Sequence, residues 1–362
     1  MAVPSMRKDI IKKRENKVDE ELKKLLEEKR ASIKVVGCGG AGNNTITRMM
    51  EVGIQGVHTI ALNTDAQDLF YCDSDMKLLI GKELTGGLGA GGDPNVGMEA
   101  AKESREEIKN LIQGADMIFV TCGLGGGTGT GSAPIVAEIT QKMNILTIGI
   151  VTLPFTMEGK TRMKNAKVGL ENLRKVVDTI IIIPNDRLLE VVPNVSLATA
   201  FKVADEILVN SVKGVAELIT TPGLINLDLA DVKAVMRKGG LAMIGIGESN
   251  SENRAVEAVE KALANPLLSL DIGGASGAII NVTGGQDMTI KEAQEVVEAI
   301  SNKLSEDAKI IWGAQVSKDM GDVIRAMLII TGVEGGEDYT TEDLFKPKKT
   351  VIEEELGIEF LE

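Results

Sequence analysis

Histidine is nearly missing from this chain. Of 362 residues only His58 carries an imidazole, which excludes a His-based triad and a multi-histidine metal site. Aromatic residues make up 2%, with one Trp and two Tyr, and base-stacking nucleic-acid platforms need exposed rings. The net charge is -13, the wrong sign for a surface that follows a phosphate backbone; a single nucleotide held by backbone N–H groups stays open. Cysteine is sparse and odd in number, Cys38, Cys72 and Cys122 without a CxxC pair, which argues against a disulfide framework or zinc site and for a reducing compartment. No apolar run approaches the roughly 20 residues of a membrane span, and the N-terminus lacks the apolar core of a secretory signal. These absences predict a cytoplasmic protein with no nucleic-acid partner and no direct membrane insertion.

What is present is a regular alternation. Residues 1–30 are dense in Lys and Glu with apolar residues near helical spacing, and read as a charged helical extension. From residue 31, short apolar strands alternate with helices of 10 to 17 residues, the pattern of a parallel sheet with crossover helices. Residues 196–219 read as one long helix. Leu197, Phe201, Ala204, Leu208, Val212 and Val215 form a stripe that Val203, Ile207 and Val209 widen, so the helix is expected to be buried between two units. The length also favours two domains: 31–195 before the helix and a smaller α/β domain, 220–333, after it. Residues 334–362 read as a polar linker ahead of the terminal VIEEELGIEFLE.

Three glycine-rich loops follow strands. Gly37-Cys38-Gly39-Gly40-Ala41-Gly42 matches GxGxxG between a strand and a helix. Alone it is a weak sign of a dinucleotide enzyme, because the next strand ends Leu62-Asn63-Thr64-Asp65 rather than in a plain ribose-binding acid. The second is Gly86-Gly87-Leu88-Gly89-Ala90-Gly91-Gly92-Asp93-Pro94, where Asp93 and Pro94 look like an N-cap and first-turn proline. The third, CGLGGGTGTGSAP (122–134), holds six glycines in thirteen residues, and its Ser132 and Pro134 suggest a helix start of the same kind. One such loop is often only a tight turn. Three at the carboxyl edge of a parallel sheet, where ligands bind, point to a polyphosphate cradled by amides and helix N-termini. The P-loop GxxxxGK[ST] is absent, since Gly159-Lys160-Thr161 lacks the first glycine. The phosphates must then rest on amides, on hydroxyls such as Thr128 and Thr130, and on a cation, with Mg²⁺ favoured for its preference for phosphate oxygens and water.

GGGTGTGSAP resembles the signature of the tubulin superfamily. GCGGAGNN, LNTDAQ, GAGGDP, PFTMEGKTR, IPND and GLINLDLADV resemble its FtsZ branch, seven motifs in order over about Ile33 to Val333. Ala41 and Asn43 depart from it, standing where many relatives carry glycine. The resemblance implies a Rossmann-like parallel-sheet GTPase domain joined by a long central helix to a smaller α/β domain with a mixed sheet. It implies binding of GTP/GDP and GTP-driven head-to-tail polymerisation into a division ring. The implied nucleotide contacts are Gly40, Ala41, Gly42, Asn43 and Asn44; Asp65 and Ala66; Gly89, Ala90, Gly91 and Gly92; and Gly125, Gly126, Gly127, Thr128, Gly129 and Thr130. Glu158 and Arg162 resemble ribose and phosphate contacts with Asn185 beside them, and Phe201 and Asp205 resemble the base-binding pair. By spacing alone Phe201 would be core and Asp205 a solvated residue.

No obvious base for activating water lies near the glycine loops. Asn226, Asp228 and Asp231 of GLINLDLAD are the candidates; on pattern alone, acids in a first turn serve the helix dipole. The resemblance implies instead that they reach the nucleotide of the next subunit. It also implies that the terminal peptide docks membrane-tethering division adaptors, set against a plain disordered tail. The rival readings are a tubulin-like filament acting in cell shape and a nucleotide-dependent oxidoreductase resting on GCGGAG.

Overall fold

The computed structural model describes residues 31–191 and 196–332, apart from 222, 226, 269–271, 273 and 306. The extension 1–30, the segment 333–362 and Asn226 therefore lie outside the described residues.

Ten strands form one sheet in the order β3-β2-β1-β4-β5-β6-β7-β10-β8-β9. They are β1 (Ile33–Cys38), β2 (Val57–Asn63), β3 (Met76–Leu79), β4 (Met117–Gly123), β5 (Leu146–Leu153), β6 (Thr179–Pro184), β7 (Gly240–Ser249), β8 (Gly277–Gly284), β9 (Lys309–Val316) and β10 (Ile324–Thr331). The first seven in that order are parallel, β10 runs antiparallel to both β7 and β8, and β8 and β9 are parallel. The two halves join where Thr179, Ile180 and Ile181 pair with Gly240, Leu241 and Ala242.

The strands read as continuous apolar runs because both faces are covered, and their period of two sorts the side chains. Met117 and Phe119, Ile148 and Ile150, and Ile181 and Ile183 enter one core; Ile118 and Val120, Val151 and Leu153, and Ile180 and Ile182 enter the other. Helices α1 (Gly39–Glu51) and α9 (Leu197–Thr220) cover the first face. The second is covered by α4 (Pro94–Glu103), α5 (Arg105–Ile112), α6 (Thr128–Lys142) and α7 (Lys160–Arg174). Short helices α2 (Ala66–Tyr71), α3 (Lys82–Thr85) and α8 (Asn185–Val191) sit in the connections; α10 (Leu229–Met236), α11 (Arg254–Leu263) and α12 (Ile290–Ser301) belong to the second half.

α9 is capped by Ser196, whose Oγ accepts the Thr199 N–H at 3.1 Å. It runs against the strand direction: Phe201 and Asp205 lie by the carboxyl ends of β1 and β5, while Thr220 Oγ1 meets Gln55 O, just before β2. The nineteen residue-to-residue steps from Phe201 to Thr220 rise about 28 Å.

Three helix boundaries differ from the sequence reading. α6 begins at Thr128 rather than at Ser132 and Pro134, so Pro134 is interior. α1 begins at Gly39 rather than near Asn43. The single helix read from VGMEAAKESREEIKNLI (96–112) breaks at Ser104 (φ -92, ψ 22) into α4 and α5. The first two share a cause: glycine is a poor helix former in isolation, but here close backbone packing requires it. A Cβ on Gly131 would collide with Pro94 O and lie 2.5 Å from Met98 N, and one on Gly129 would lie 2.8 Å from Cys38 O.

Candidate functional site

A cavity of about 260 Å³ opens at the carboxyl edge of β1, β4 and β5, bounded by the N-terminal half of α9. Its floor is Cys38–Ala41, Gly123–Leu124 and Gly126–Gly129, and its walls include Glu158, Arg162, Asn185, Phe201 and Asp205.

α1 and α6 both begin here, each without a side-chain cap and without an acid in its first turn. The leading N–H groups of a helix have no intrahelical partner, and two such ends carry partial positive charge into one cavity. The neighbouring helices end differently. Asp65 caps α2 by accepting from Gln67 N and Asp68 N, and Asp93 caps α4 by accepting from Asn95 N at 2.8 Å, with Pro94 at the first position. α7, which carries Arg162 of the cavity wall, is like α1 and α6: it starts from Gly159 without a side-chain cap or a first-turn acid. The turn into α1 needs Gly39: its φ is +70, and a Cβ would stand 2.7 Å from Gly129 N.

The three glycine loops are tied together. Ala66 N–H bonds Gly87 O, Gly89 N–H bonds Thr64 O, and the Thr64 and Thr128 hydroxyls meet at 2.7 Å. Asn165 Nδ2 donates to both Gly92 O (3.2 Å) and Gly125 O (3.3 Å). Thr130 is buried, and its Oγ1 accepts the Gly125 N–H at 2.9 Å. Of the residues singled out from sequence, Gly40, Ala41, Gly126, Gly127, Thr128, Gly129, Glu158, Arg162, Asn185, Phe201 and Asp205 line the cavity. Gly125, Thr130, Asp65, Ala66 and Gly89 to Gly92 are not in the lining; Gly91 and Gly92 are exposed. Ala90 is buried, at 2.9 Å from where a Cβ on Gly127 would be. Gly42 packs against Thr121 O, Asn43 is buried within α1, and Asn44 is exposed on it.

Glu158 accepts the Phe155 N–H at 2.8 Å through Oε1 and the Arg162 guanidinium at 2.5 Å through Oε2. Phe201 is 39% exposed and meets Phe155 edge-on with ring centroids 5.2 Å apart, so it is not core. Asn185 is buried, with its Oδ1 unpartnered on the cavity wall; a ligand donor would satisfy it. Burial pushes the Asp205 carboxyl up to about 6, against the opposing pull of the Thr45 hydroxyl and the Arg48 charge. Burial also pushes the Cys38 thiol up to about 12, leaving it a neutral wall. Among the described residues no group of three or more His, Cys, Asp or Glu side chains is placed to hold a metal ion.

Asp228 and Asp231 do not line this cavity. Asp228 caps α10 through Oδ1 and the Asp231 N–H (2.8 Å), while Asp231 Oδ2 faces the Asp228 N–H at 3.4 Å, and both are exposed. The loop before them is joined to Ala314 of β9 by Ile225, at the sheet edge five strands from β5, or about 24 Å at strand spacing. Sequence reasoning missed Leu124, Thr152, Pro154, Ala204 and Leu208 in the wall, as well as Thr45. Leu124 and Pro154 lie inside the motifs CGLGGGTGTGSAP and PFTMEGKTR but are apolar, and Ala204 and Leu208, on the same stripe as Phe201, read as core.

The dinucleotide reading loses its key residue here. Asp65, the only acid at the end of β2, is occupied as a helix cap, and Asn63 turns its amide to Asp68 at 2.6 Å.

Residues 32–193 match the Tubulin/FtsZ family, GTPase domain, and residues 240–334 match the FtsZ family, C-terminal domain. The chain is 59% identical over 330 residues to cell division protein FtsZ 1 of Methanocaldococcus jannaschii, covering 91% of each. It is 57% identical over 345 residues to cell division protein FtsZ 1 of Thermococcus kodakarensis, covering 93% of this chain and 92% of that protein. The solved empty FtsZ dimer of M. jannaschii superposes with a TM-score of 0.84 at 61% identity, over 88% of this chain and 92% of that one. GDP-bound CetZ1 of Haloferax volcanii shares the fold, with a TM-score of 0.75 at 22% identity over 86% and 97% of the two chains. Two uncapped helix ends at a strand-edge cavity, an overlapping GTPase-domain match and these relatives agree: the chain belongs to the tubulin/FtsZ family, in its FtsZ branch.

Proposed function

We propose that this cytoskeletal GTPase of cell division hydrolyses GTP only where two of its copies meet in a filament. Within one copy the cavity does the binding. The amides of Gly39–Ala41 and Gly126–Gly129 receive the phosphates, with Arg162 as the nearby cation and Glu158 and Asn185 taking the ribose. Phe201 covers the base, and Asp205, when ionised, accepts both guanine N1–H and the 2-amino group, a donor pair that adenine lacks. Mg²⁺, when bound, would neutralise phosphate charge; the phosphate end offers amides and hydroxyls but no carboxylate, which fits an ion carried in on the nucleotide and its waters.

The observation that supports completion in trans is what the cavity does not hold. Its two carboxylates are Glu158, already bonded to Arg162 and Phe155, and Asp205 of α9, which sits beside Ala204 and Leu208 and against Thr45 of α1 rather than at the helix ends. Neither is placed to orient a water at a terminal phosphate. Asp228 and Asp231 are exposed acids a sheet's breadth away, and a head-to-tail neighbour brings such a pair over the open cavity. Asn226, between them and the end of α9, lies outside the described residues and is proposed as a third contact. A carboxylate there orients the water, while the amides stabilise the charge that develops on the transferring phosphoryl group.

Phosphate release per mole of protein should then rise with protein concentration through a threshold and level off above it. Constant specific activity from nanomolar to tens of micromolar would refute the proposal.

Assembly at the division site of the cytoplasm and tethering through VIEEELGIEFLE complete the reading. No helix among the described residues is long and apolar enough to cross a membrane. Deleting residues 350–362 should abolish capture of a membrane-tethering division protein; undiminished capture would assign that role elsewhere.

A further inference from the structure

Asp205 does not face the cavity unaided. Thr45, on the second turn of α1, is fully buried against α9, and its single hydroxyl stands between two acceptors: Ala41 O at 3.1 Å and Asp205 Oδ1 at 3.3 Å. A threonine in a helix can direct Oγ1 at the carbonyl four residues back, and that rotamer is the one observed. The same rotamer brings the hydroxyl to Asp205. One proton serves either acceptor, and donation to a charged oxygen is roughly twice as strong as to a neutral one. The hydroxyl therefore favours the carboxylate when it is ionised and the carbonyl when it is not.

We propose that Thr45 is a positioning residue for Asp205: it holds the carboxylate ionised and turned toward the guanine edge, and so sets the lowest pH at which the protein binds guanine nucleotides. This rests on the reading of Asp205 as the base-recognising group. The other charges around that carboxylate are accounted for. Arg48 on α1 is shared between Glu51 (2.8 Å) and Glu206 (3.0 Å), and Glu206 follows Asp205 on α9. Across the cavity Arg162 is paired with Glu158. Thr45 is the hydroxyl that bonds Asp205.

The sign follows from burial, which raises the Asp205 carboxyl to about 6. Recognition needs the ionised form, so affinity is full above that pH and falls as pH drops through it. Removing the Thr45 hydroxyl raises the carboxyl further and moves the fall to higher pH.

The test is a titration of fluorescent GDP from pH 5.5 to 8 on the full chain, with inosine diphosphate, which lacks the 2-amino group, as competitor. For a one-unit rise, Thr45→Val should weaken binding about eightfold at pH 5.5, about threefold at pH 6.5 and by less than about 1.2-fold at pH 8. Thr45→Ser, which keeps the hydroxyl, should restore the wild-type profile. An unchanged profile for Thr45→Val, or an equal loss at every pH, would overturn the proposal, since a packing role predicts no pH dependence. Asp205→Asn separates the two claims. Loss of preference for GDP over inosine diphosphate supports the reading of Asp205; retention removes that reading, and the role of Thr45 with it.

Discussion

Asp231→Ala should lower GTP turnover about 10³-fold, the lower end of what groups supplied in trans contribute to phosphoryl transfer, while GDP affinity stays at the wild-type value. The separation expected between these effects is large because the residue lies outside the cavity, beside the opposite sheet edge from β3. Its loss should cost little stability. Asp231 is exposed, its contact with the Asp228 N–H is long at 3.4 Å, and alanine is the better helix former. Asp228 needs a gentler substitution. Its Oδ1 accepts the Asp231 N–H at 2.8 Å, and removing such a cap costs about 1 kcal/mol. Asp228→Asn keeps an acceptor at that position while deleting the charge, so lost turnover with unchanged melting temperature would assign the charge a chemical role. The measurements are phosphate release above the assembly threshold, GDP titration and sedimentation of filaments. Wild-type turnover by Asp231→Ala would remove the residue from the mechanism.

The second large effect concerns Gly131→Ala. In an ordinary helix interior this change would stabilise by about 0.5–1 kcal/mol. Here the new methyl strikes Pro94 O and lies 2.5 Å from Met98 N. α4 has little room to retreat, because the same interface seats Gly97 against Gly127 O and the Gly127 position against Asp93 N at 2.9 Å. Overpacking costs about 1–3 kcal/mol or more, and the obstacle here is backbone; a net loss near 3 kcal/mol corresponds to a fall of roughly 6–12 °C in melting temperature. Gly131 shares a helical turn with Thr128 and Gly129, so nucleotide affinity should fall with it. Gly126→Ala is the internal comparison: no atom lies within 4 Å of its Cβ position, so the melting temperature should stay within about 1 °C, inside the ±0.5 kcal/mol of an uncrowded site. Wild-type melting and affinity for Gly131→Ala would mean that the α4–α6 contact does not shape the cavity.

Most of the strands were legible, because a strand buried on both faces leaves an uninterrupted apolar run: MIFVT lies within β4 and ILTIGIV overlaps β5 to within two residues. Their lateral order was not, since nothing in TIIII or LAMIGIG states that Thr179 pairs with Gly240. The starts of α1 and α6 were misplaced by four residues or more because Gly39, Gly129 and Gly131 are helical for reasons of contact across the sheet edge. The glycine loops and the resemblance led to the cavity wall, but not to Thr45, which reads as an ordinary buried helix position until α9 is laid against it. Asp228 and Asp231 read as two first-turn acids, whereas the structure makes Asp228 the N-cap and leaves only Asp231 in the first turn.

In the proposed arrangement α9 sets the nucleotide at one pole, and the chain emerging from its other end carries Asp228 and Asp231. A row of n copies so arranged holds n nucleotides but closes only n − 1 hydrolytic sites. On that proposal one tip would carry a nucleotide site that no neighbour completes and the other an idle acid, so the two tips would differ in chemistry before they differ in anything else. Growth and loss of subunits at the two tips need not be mirror images, and the age of a copy within the row is recorded in whether its phosphate has been released.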